Sequence, residues 1–283
     1  MEIKVSVLGF GDNVVDKYEH KKIMYPGGNC VNFAVYAKKL GVIRSAYMGD
    51  FGNDEEGKHV ISTLKKIGIE MVKCHTLSGE NGCARVTIEN GERLFLGSNK
   101  GGIRGKIPYI LDQFDLEYIK QFDLVHSGIF SFTENELYKI KKEGVPISFD
   151  FSEEFDENYM KSVCRNLSYA FISCADEEES IVKGKLLKMV SWGATKVVAT
   201  RGTQSAIGYD GEKFYVQDPL KLDKVVDTMG AGDSFQTAFL IEEICQRKTG
   251  ENDMQKSLRK AVEFAAQICM IEGAFGYGKK YEN

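Results

Sequence analysis

Val225-Val226-Asp227-Thr228-Met229-Gly230-Ala231-Gly232-Asp233-Ser234-Phe235 is the stretch on which the reading of this chain turns. A short extended run meets Gly-Ala-Gly, then an acid and a hydroxyl residue. Phe235, Phe239, Leu240 and Ile244 follow at helical spacing. The pattern predicts a loop feeding straight into a helix N-terminus, where backbone N–H groups lack intrahelical partners and the macrodipole adds positive charge. Glycines let such a backbone close around an anion, so phosphate is the expected ligand. Asp233 would repel phosphate unless it had a task of its own. Accepting the proton of a hydroxyl that attacks phosphorus is such a task, with Gly230, Ala231 and Gly232 as the anion hole. A lone Gly-x-Gly-Asp reads equally as an ordinary Asp N-cap. The whole Asp-Thr-x-Gly-Ala-Gly-Asp run is far more specific.

Composition bounds the rest. A chain of 283 residues can hold one large domain with an ample core. A formal net charge of −4 argues against a nucleic-acid surface and leaves cationic substrates open. The N-terminus, Met-Glu-Ile-Lys-Val-Ser-Val-Leu-Gly, alternates like a strand and has neither the basic start nor the apolar core of a signal peptide. No apolar run is long enough for a membrane span, so no membrane partner is expected. The seven cysteines are scattered without a Cys-x-x-Cys, which reads as small buried residues in a reducing cytoplasm. The histidines show no zinc spacing.

Along the chain, strand-like and helical segments alternate. Strands are expected at Ile3 to Leu8, Ser45 to Gly49, Leu124 to His126, Pro146 to Phe151, Tyr169 to Ile172 and Lys196 to Thr200. A helix is expected from Asn32 to Leu40, ending at Gly41. Another, with Asn53 and Glu56 as capping box, stops at Gly68. That alternation predicts a mostly parallel sheet with helices on both faces and functional residues at the carboxyl ends of its strands. Two stretches break the rhythm: Asp16 to Tyr25, polar and extended, and Cys83 to Leu96, a hairpin around Asn90-Gly91. Together they suggest a small β-lid that keeps water from a substrate. A functionless surface hairpin fits the same residues. Ala206 to Val216, around Asp210-Gly211, reads as a mere connection.

Two nucleotide-binding look-alikes fail on their residues. Gly9-Phe10-Gly11 follows a strand, but Val14 stands where a dinucleotide fingerprint needs glycine. Gly52-Asn53-Asp54-Glu55-Glu56-Gly57-Lys58-His59 ends in His where a P-loop needs Ser or Thr, and its three acids would repel a triphosphate.

The C-terminal run resembles the signature of the ribokinase-like (PfkB-type) sugar kinases. Pro26-Gly27-Gly28-Asn29-Cys30-Val31-Asn32-Phe33-Ala34, with Leu40-Gly41 and Gly49-Asp50-x-Gly52, is similar to that family's first signature. Gly27-Gly28 permits close approach of a polyol, and Asn29 and Asn32 offer donors and acceptors for hydroxyls. Helix capping would account for at most one of those two asparagines. The resemblance spans essentially the whole chain. It implies one ribokinase-like kinase domain over 1–283, an α/β three-layer sandwich with a mostly parallel central sheet and lid segments near 12–26 and 82–104. It implies sugar contact at Gly28, Asn29, Asn32 and Asp16, with Asp12 as a weaker candidate and Arg93 in the lid. Thr200 and Gly202 resemble the segment that meets the nucleotide, together with Thr228 and with the Ala265-Ala266 helix near the adenine. The family's Asn-x-x-Glu reads Ala175-Asp176-Glu177-Glu178 here, which keeps Glu178 as a water-mediated metal contact and loses the Asn. A solvated acidic helix start fits that run as well. ATP and Mg²⁺ are the implied cofactors, with room for a monovalent cation, and a homodimer through the lid is an implied partner. Within the family, the segments at 11–16 and 27–36 look most like the fructoselysine 6-kinases, whose substrate carries amines that Asp12, Asp16, Glu89 or Glu92 could attract. A fructokinase or other ketose kinase is the alternative. A sugar sensor without catalysis is a further one, against which the retained Asp233 argues.

Overall fold

The computed structural model describes residues 3–89, 92–153 and 156–282, apart from the side chains of 88, 89, 92 and 93. In chain order, β1 (Ile3–Phe10) leads into a hairpin of β2 (Val14–Tyr18) and β3 (Ile23–Gly27). Next come α1 (Asn29–Leu40), β4 (Val42–Met48), β5 (Asp50–Gly52), α2 (Glu55–Ile67) and β6 (His75–Leu77). A second hairpin joins β7 (Gly82–Glu89) to β8 (Glu92–Ser98). Then α3 (Gln113–Ile119), β9 (Leu124–Gly128), α4 (Leu137–Lys142), β10 (Ile147–Asp150), α5 (Glu157–Cys164) and β11 (Tyr169–Ser173) alternate. They are followed by α6 (Glu179–Ser191), β12 (Lys196–Arg201), β13 (Gln204–Tyr209) and β14 (Phe214–Gln217). The chain closes with α7 (Ala231–Thr249), α8 (Met254–Ile268) and a two-residue β15 (Lys279–Lys280).

The central sheet runs β14-β13-β12-β11-β10-β9-β1-β4. All neighbours from β4 to β12 are parallel, and β13 and β14 extend the sheet antiparallel at one edge. Successive strand residues serve opposite layers. Val5 and Val7 pack with Phe33, Phe239 and Leu258 on one side, while Leu8 and Phe10 pack with Ile119, Ile140 and Leu186 on the other. Burial on both faces explains why these strands read as near-continuous apolar runs. The result is the three-layer, mostly parallel α/β architecture expected. The 206–216 hairpin is more than a connection, because it supplies two strands of this sheet. Among the described residues, no helix is long and apolar enough to cross a membrane. All seven cysteines are unpaired thiols.

A second, five-stranded sheet runs β15-β3-β2-β7-β8. It joins both irregular stretches and adds residues from the C-terminus. Glu89 pairs with Glu92, as a two-residue turn requires, although Asn90 and Gly91 themselves lie outside the described residues. Alternation along β2 splits its side chains. Val15 enters the core with Val60 and Leu64, and Lys17 pairs with Glu56 at 2.5 Å, so Asp16 and Tyr18 belong to the opposite face.

Three local expectations shift. Helix α1 starts at Asn29, so Asn29 and Asn32 both lie inside its first turn and neither caps it. The cap of α2 is Asp54, whose Oδ1 accepts the Gly57 N–H at 2.9 Å, while Asn53 accepts the Gly79 N–H at 3.0 Å. Residue preference does not separate neighbouring Asn and Asp, and here the loop from Gly79 decides. Val225 and Val226 join no sheet. The Val226 and Asp227 N–H groups donate instead to the Cys269 carbonyl, at 2.9 and 3.2 Å.

Candidate active site

Strand β1 lies between β4 and β9, so the chain reverses its direction of travel across the sheet at β1. Crevices form at the carboxyl ends of strands flanking such a point. Both α1 and α7 begin there. Gly230 precedes α7 at φ 74°, in the left-handed region, and Asp233 sits half-buried in the first turn. Asn29 Nδ2 donates to Asp233 Oδ1 at 2.8 Å, and Asn32 Nδ2 donates to Oδ2 at 2.5 Å. Spacing of i and i+3 puts both amides on one face of α1. Burial raises the Asp233 pKa above the usual carboxylate range. The two asparagine hydrogen bonds hold it down, and the charge of Asp12 adds to the rise. A carboxylate so poised is more basic than a solvated one and is lost as a base when pH falls.

Asn29 is gripped from behind by a histidine that sequence reading missed. His126 Nε2 lies 2.8 Å from Asn29 Oδ1, and its Nδ1 lies 2.9 Å from Ser148 Oγ. Burial drives the His126 pKa to about 3, so the ring is neutral at working pH. Asn29 Nδ2 faces carboxylates, which leaves Oδ1 toward the ring. The proton therefore sits on Nε2, and Ser148 donates to Nδ1. The same Asn29 amide reaches Asp150 Oδ2 at 3.1 Å. One side chain thus bridges two acids.

Asp150 ends β10, and its pKa is pushed up to about 7. Burial is the main cause, opposed by Gln236 and reinforced by the charge of Asp233. A folded-state pKa above the unfolded value means the folded chain holds the proton more tightly. Asp150 therefore costs stability as pH rises from about 4 through about 7. Asp150→Asn should raise the unfolding free energy by about 1–3 kcal/mol at pH 8 and by little at pH 4, measured by urea denaturation. An equal effect at both pH values would mean that the carboxylate is not strained by its site.

The sugar-side candidates divide. Asp12 accepts the backbone N–H groups of Asn29 (2.8 Å) and Cys30 (3.1 Å) and the Ser131 hydroxyl (2.9 Å). Its carboxylate is occupied in anchoring the positive end of α1. Asp16 is buried, and its Oδ2 lies only 2.7 Å from where a Cβ at Gly27 would stand. Gly28 adopts φ 104°, and an added Cβ would meet Asn13 Cα at 2.9 Å. The tight turn of the Gly27-Gly28 pair thus brings Asp16, Asn32 and Asp233 to one place. Asn32 Oδ1 is buried without a hydrogen-bond partner, a waiting acceptor. The side chains of Arg93, Glu89 and Glu92 lie outside the described residues.

Beyond the end of β12 lies a groove of about 490 Å³ lined by Arg201, Gln204, Ser205, Asp218 and Lys221 among others. Thr200 and Gly202 flank Arg201 at the end of β12, and the Arg201 Nε is buried and unpaired. Thr228 is exposed, and its carbonyl accepts the Ala231 N–H at 3.2 Å; the Ser234 N–H goes to Gly230 O at 2.9 Å. The Ala231 N–H is therefore engaged within the turn, which leaves the Gly232 and Asp233 N–H groups as the first-turn donors for an anion. Ala265 and Ala266 lie half-buried on α8. Glu178 is exposed at the start of α6, and the described residues contain no group of three His, Cys, Asp or Glu placed to hold a metal. Lys58 of the false P-loop is exposed on α2 and pairs with Glu55 at 2.9 Å.

The small sheet is tied to the loop before α7. Tyr18 Oη donates to Asp227 Oδ2 at 2.5 Å, while Asp227 accepts the N–H groups of Met229 and Gly273, both at 3.0 Å. Tyr25 and Lys21 reach Glu272 at 2.9 and 2.6 Å.

Comparison with known proteins agrees with this geometry. The model of the pfkB family carbohydrate kinases matches residues 4–275. A fructosamine kinase of Bacillus subtilis (strain 168) is 41% identical over 279 residues, 98% of this chain and 95% of that one. A fructoselysine 6-kinase of Escherichia coli (strain K12) is 32% identical over 265 residues, 94% of this chain and 97% of that one. The fold matches that of an Arabidopsis thaliana ribokinase solved with ribose and ATP, at a TM-score of 0.76 and 21% identity over 97% and 95% of the two chains. The family model covers nearly the whole length, and a relative 41% identical spans 98% of it: the chain belongs to the pfkB family of carbohydrate kinases.

Proposed function

We propose that this chain transfers the γ-phosphoryl group of ATP to a primary hydroxyl of a fructosamine, with fructoselysine as the reference substrate. The observation that carries the reading is a basic carboxylate, Asp233, held at both oxygens by Asn29 and Asn32 beside a Gly-Ala-Gly helix start. The 41% identity with the Bacillus subtilis fructosamine kinase supports the substrate class.

The roles follow from the geometry. Gly27, Gly28, Asp16 and Asn32 receive the sugar, and the unpaired Asn32 Oδ1 accepts a hydrogen bond from one hydroxyl. Asp233 accepts the proton of the hydroxyl that attacks. The Gly232 and Asp233 N–H groups at the start of α7 stabilise charge as it develops on the transferred group. His126 and Asn29 keep Asp233 aimed. The groove beside Thr200 and Gly202 suits a polyphosphate, since Arg201 has a buried nitrogen without a partner and Lys221 adds charge. ATP, when bound there, supplies the phosphoryl group. No protein cage for Mg²⁺ is prepared among the described residues, so the ion is assigned to the nucleotide's phosphates with Glu178 reaching it through water. No described site is assigned to a monovalent cation.

The whole chain acts as one catalytic unit, with the five-stranded sheet as its lid. Leu94, Phe95 and Leu96 expose 40%, 67% and 47% of their surface on β8, which supports pairing of two copies through that lid. Seven free thiols fit a cytoplasmic setting.

Steady-state kinetics over a sugar panel test the substrate. The ratio kcat/KM for fructoselysine should exceed that for fructose by at least about tenfold, because the amino-acid arm adds charged contacts in the transition state. Equal efficiency on the two would keep the kinase and reject the fructosamine.

A further inference from the structure

Arg104 follows the lid hairpin, on a glycine-rich turn at Lys100-Gly101-Gly102-Ile103-Arg104-Gly105. Its side chain is 5% exposed. One nitrogen, Nη1, is paired with the buried Asp50 carboxylate, and the guanidinium carbon lies over the Tyr109 ring, 3.6 Å from its centroid. The remaining two nitrogens, Nε and Nη2, are buried and have no hydrogen-bond partner. Those two atoms form the side-on edge of the guanidinium, the edge that grips a carboxylate through two parallel hydrogen bonds. A buried arginine kept only for structure would spend that edge on protein oxygens, because unmade hydrogen bonds of a charged group are costly.

A second orphan lies on the path from Arg104 to the sugar loop. Asn13 Nδ2 donates to the Asp50 carbonyl at 2.8 Å and to Tyr47 Oη at 2.9 Å, which fixes the amide and leaves Oδ1 as a buried acceptor without a donor. Asn13 also abuts Gly28, whose added Cβ would stand 2.9 Å from Asn13 Cα. Contacts therefore run from the sugar loop through Asn13 and Asp50 to Nη1 of Arg104, next to its unpaired Nε and Nη2. An acceptor near the sugar and a carboxylate fork beyond it match an amino acid carried on the far end of a sugar.

We propose that Arg104 docks the α-carboxylate of the substrate's amino-acid arm, with Asn13 Oδ1 accepting a hydrogen bond from the arm's nitrogen or a neighbouring hydroxyl. This rests on the fructosamine reading above and adds which part of the arm is recognised. Asp50 and Tyr109 hold the guanidinium so that its unpaired edge keeps its direction.

The test compares fructoselysine with its α-carboxamide, which has the same sugar and amines but no carboxylate. The unmodified enzyme should prefer the carboxylate by about tenfold or more in kcat/KM, a typical margin for a charged hydrogen-bonded pair. Arg104→Gln should lower kcat/KM for fructoselysine by about 30-fold and change that for the carboxamide by less than about threefold. Arg104→Lys, which keeps the charge but not the fork, should fall between. Equal loss on both compounds with the melting temperature unchanged would make Arg104 a structural residue and overturn the proposal. If Arg104→Gln does not fold, the unmodified enzyme decides alone: a preference of less than about twofold overturns it. Failure to turn over either conjugate while fructose is phosphorylated would reject the fructosamine reading itself and the arm site with it.

Discussion

Asp233→Asn is expected to lower kcat by about 10²–10⁴-fold while the KM for ATP stays nearly constant. The substitution conserves shape and removes the capacity to take a proton, and by drawing on Asn32 Oδ1 it should also raise the KM for the sugar. It should also fold. The new amide needs an acceptor where Asn32 Nδ2 now points, and Asn32 can supply one by turning over its buried, unpaired Oδ1. Asn29 has no such freedom because His126 and Asp150 fix it, so the carbonyl at position 233 should settle toward Asn29. A coupled assay of ADP release, read beside a thermal melt, measures both effects. More than about a tenth of the activity left in a folded variant would remove Asp233 from the role of base.

Gly230→Ala and Gly232→Ala should part company. At Gly230 the backbone is left-handed, and an added Cβ would stand 2.2 Å from Tyr36 Oη and 2.9 Å from the Ala274 Cβ. Strain of about 1–2 kcal/mol plus that clash must move the loop, and stability and turnover should both fall, the latter by about 10²–10³-fold as the anion donors lose their aim. At Gly232 no protein atom lies within 4 Å of the Cβ position. Packing does not demand glycine there, and alanine inside a first turn should stabilise the fold by up to about 1 kcal/mol. Turnover should nonetheless drop by at least about tenfold, because the space is reserved for the phosphoryl group. A Gly232→Ala enzyme that is more stable and fully active would place the phosphate elsewhere.

Much of this was legible in the residues because it rests on local rules. Phe235 to Ile244 announces α7 by its spacing, Gly230 announces the turn before it, and the apolar strands announce a doubly covered sheet. The roles of Asn29 and Asn32 were half-legible. Their types suggested hydroxyl recognition, but their hold on Asp233 depends on two helices that begin some two hundred residues apart and meet only in the fold. His126 gave no local signal, since a lone histidine in an apolar strand is indistinguishable from a core residue. Asp150 carried a weak one, an acid at the carboxyl end of a buried strand. The helix-anchoring bonds of Asp12 were not legible, because α1 starts three residues earlier than periodicity suggests. Arg104 was passed over within an expected lid segment, because its significance lies in which nitrogens lack partners, and only packing reveals that.

The most direct measurement of the central claim is phosphorus and carbon NMR of the product formed from ATP and fructoselysine. One equivalent of a sugar phosphate per ADP, with coupling to the carbon of the primary alcohol, is the predicted result. ADP released without a sugar phosphate, or phosphate on a secondary hydroxyl, would contradict the account.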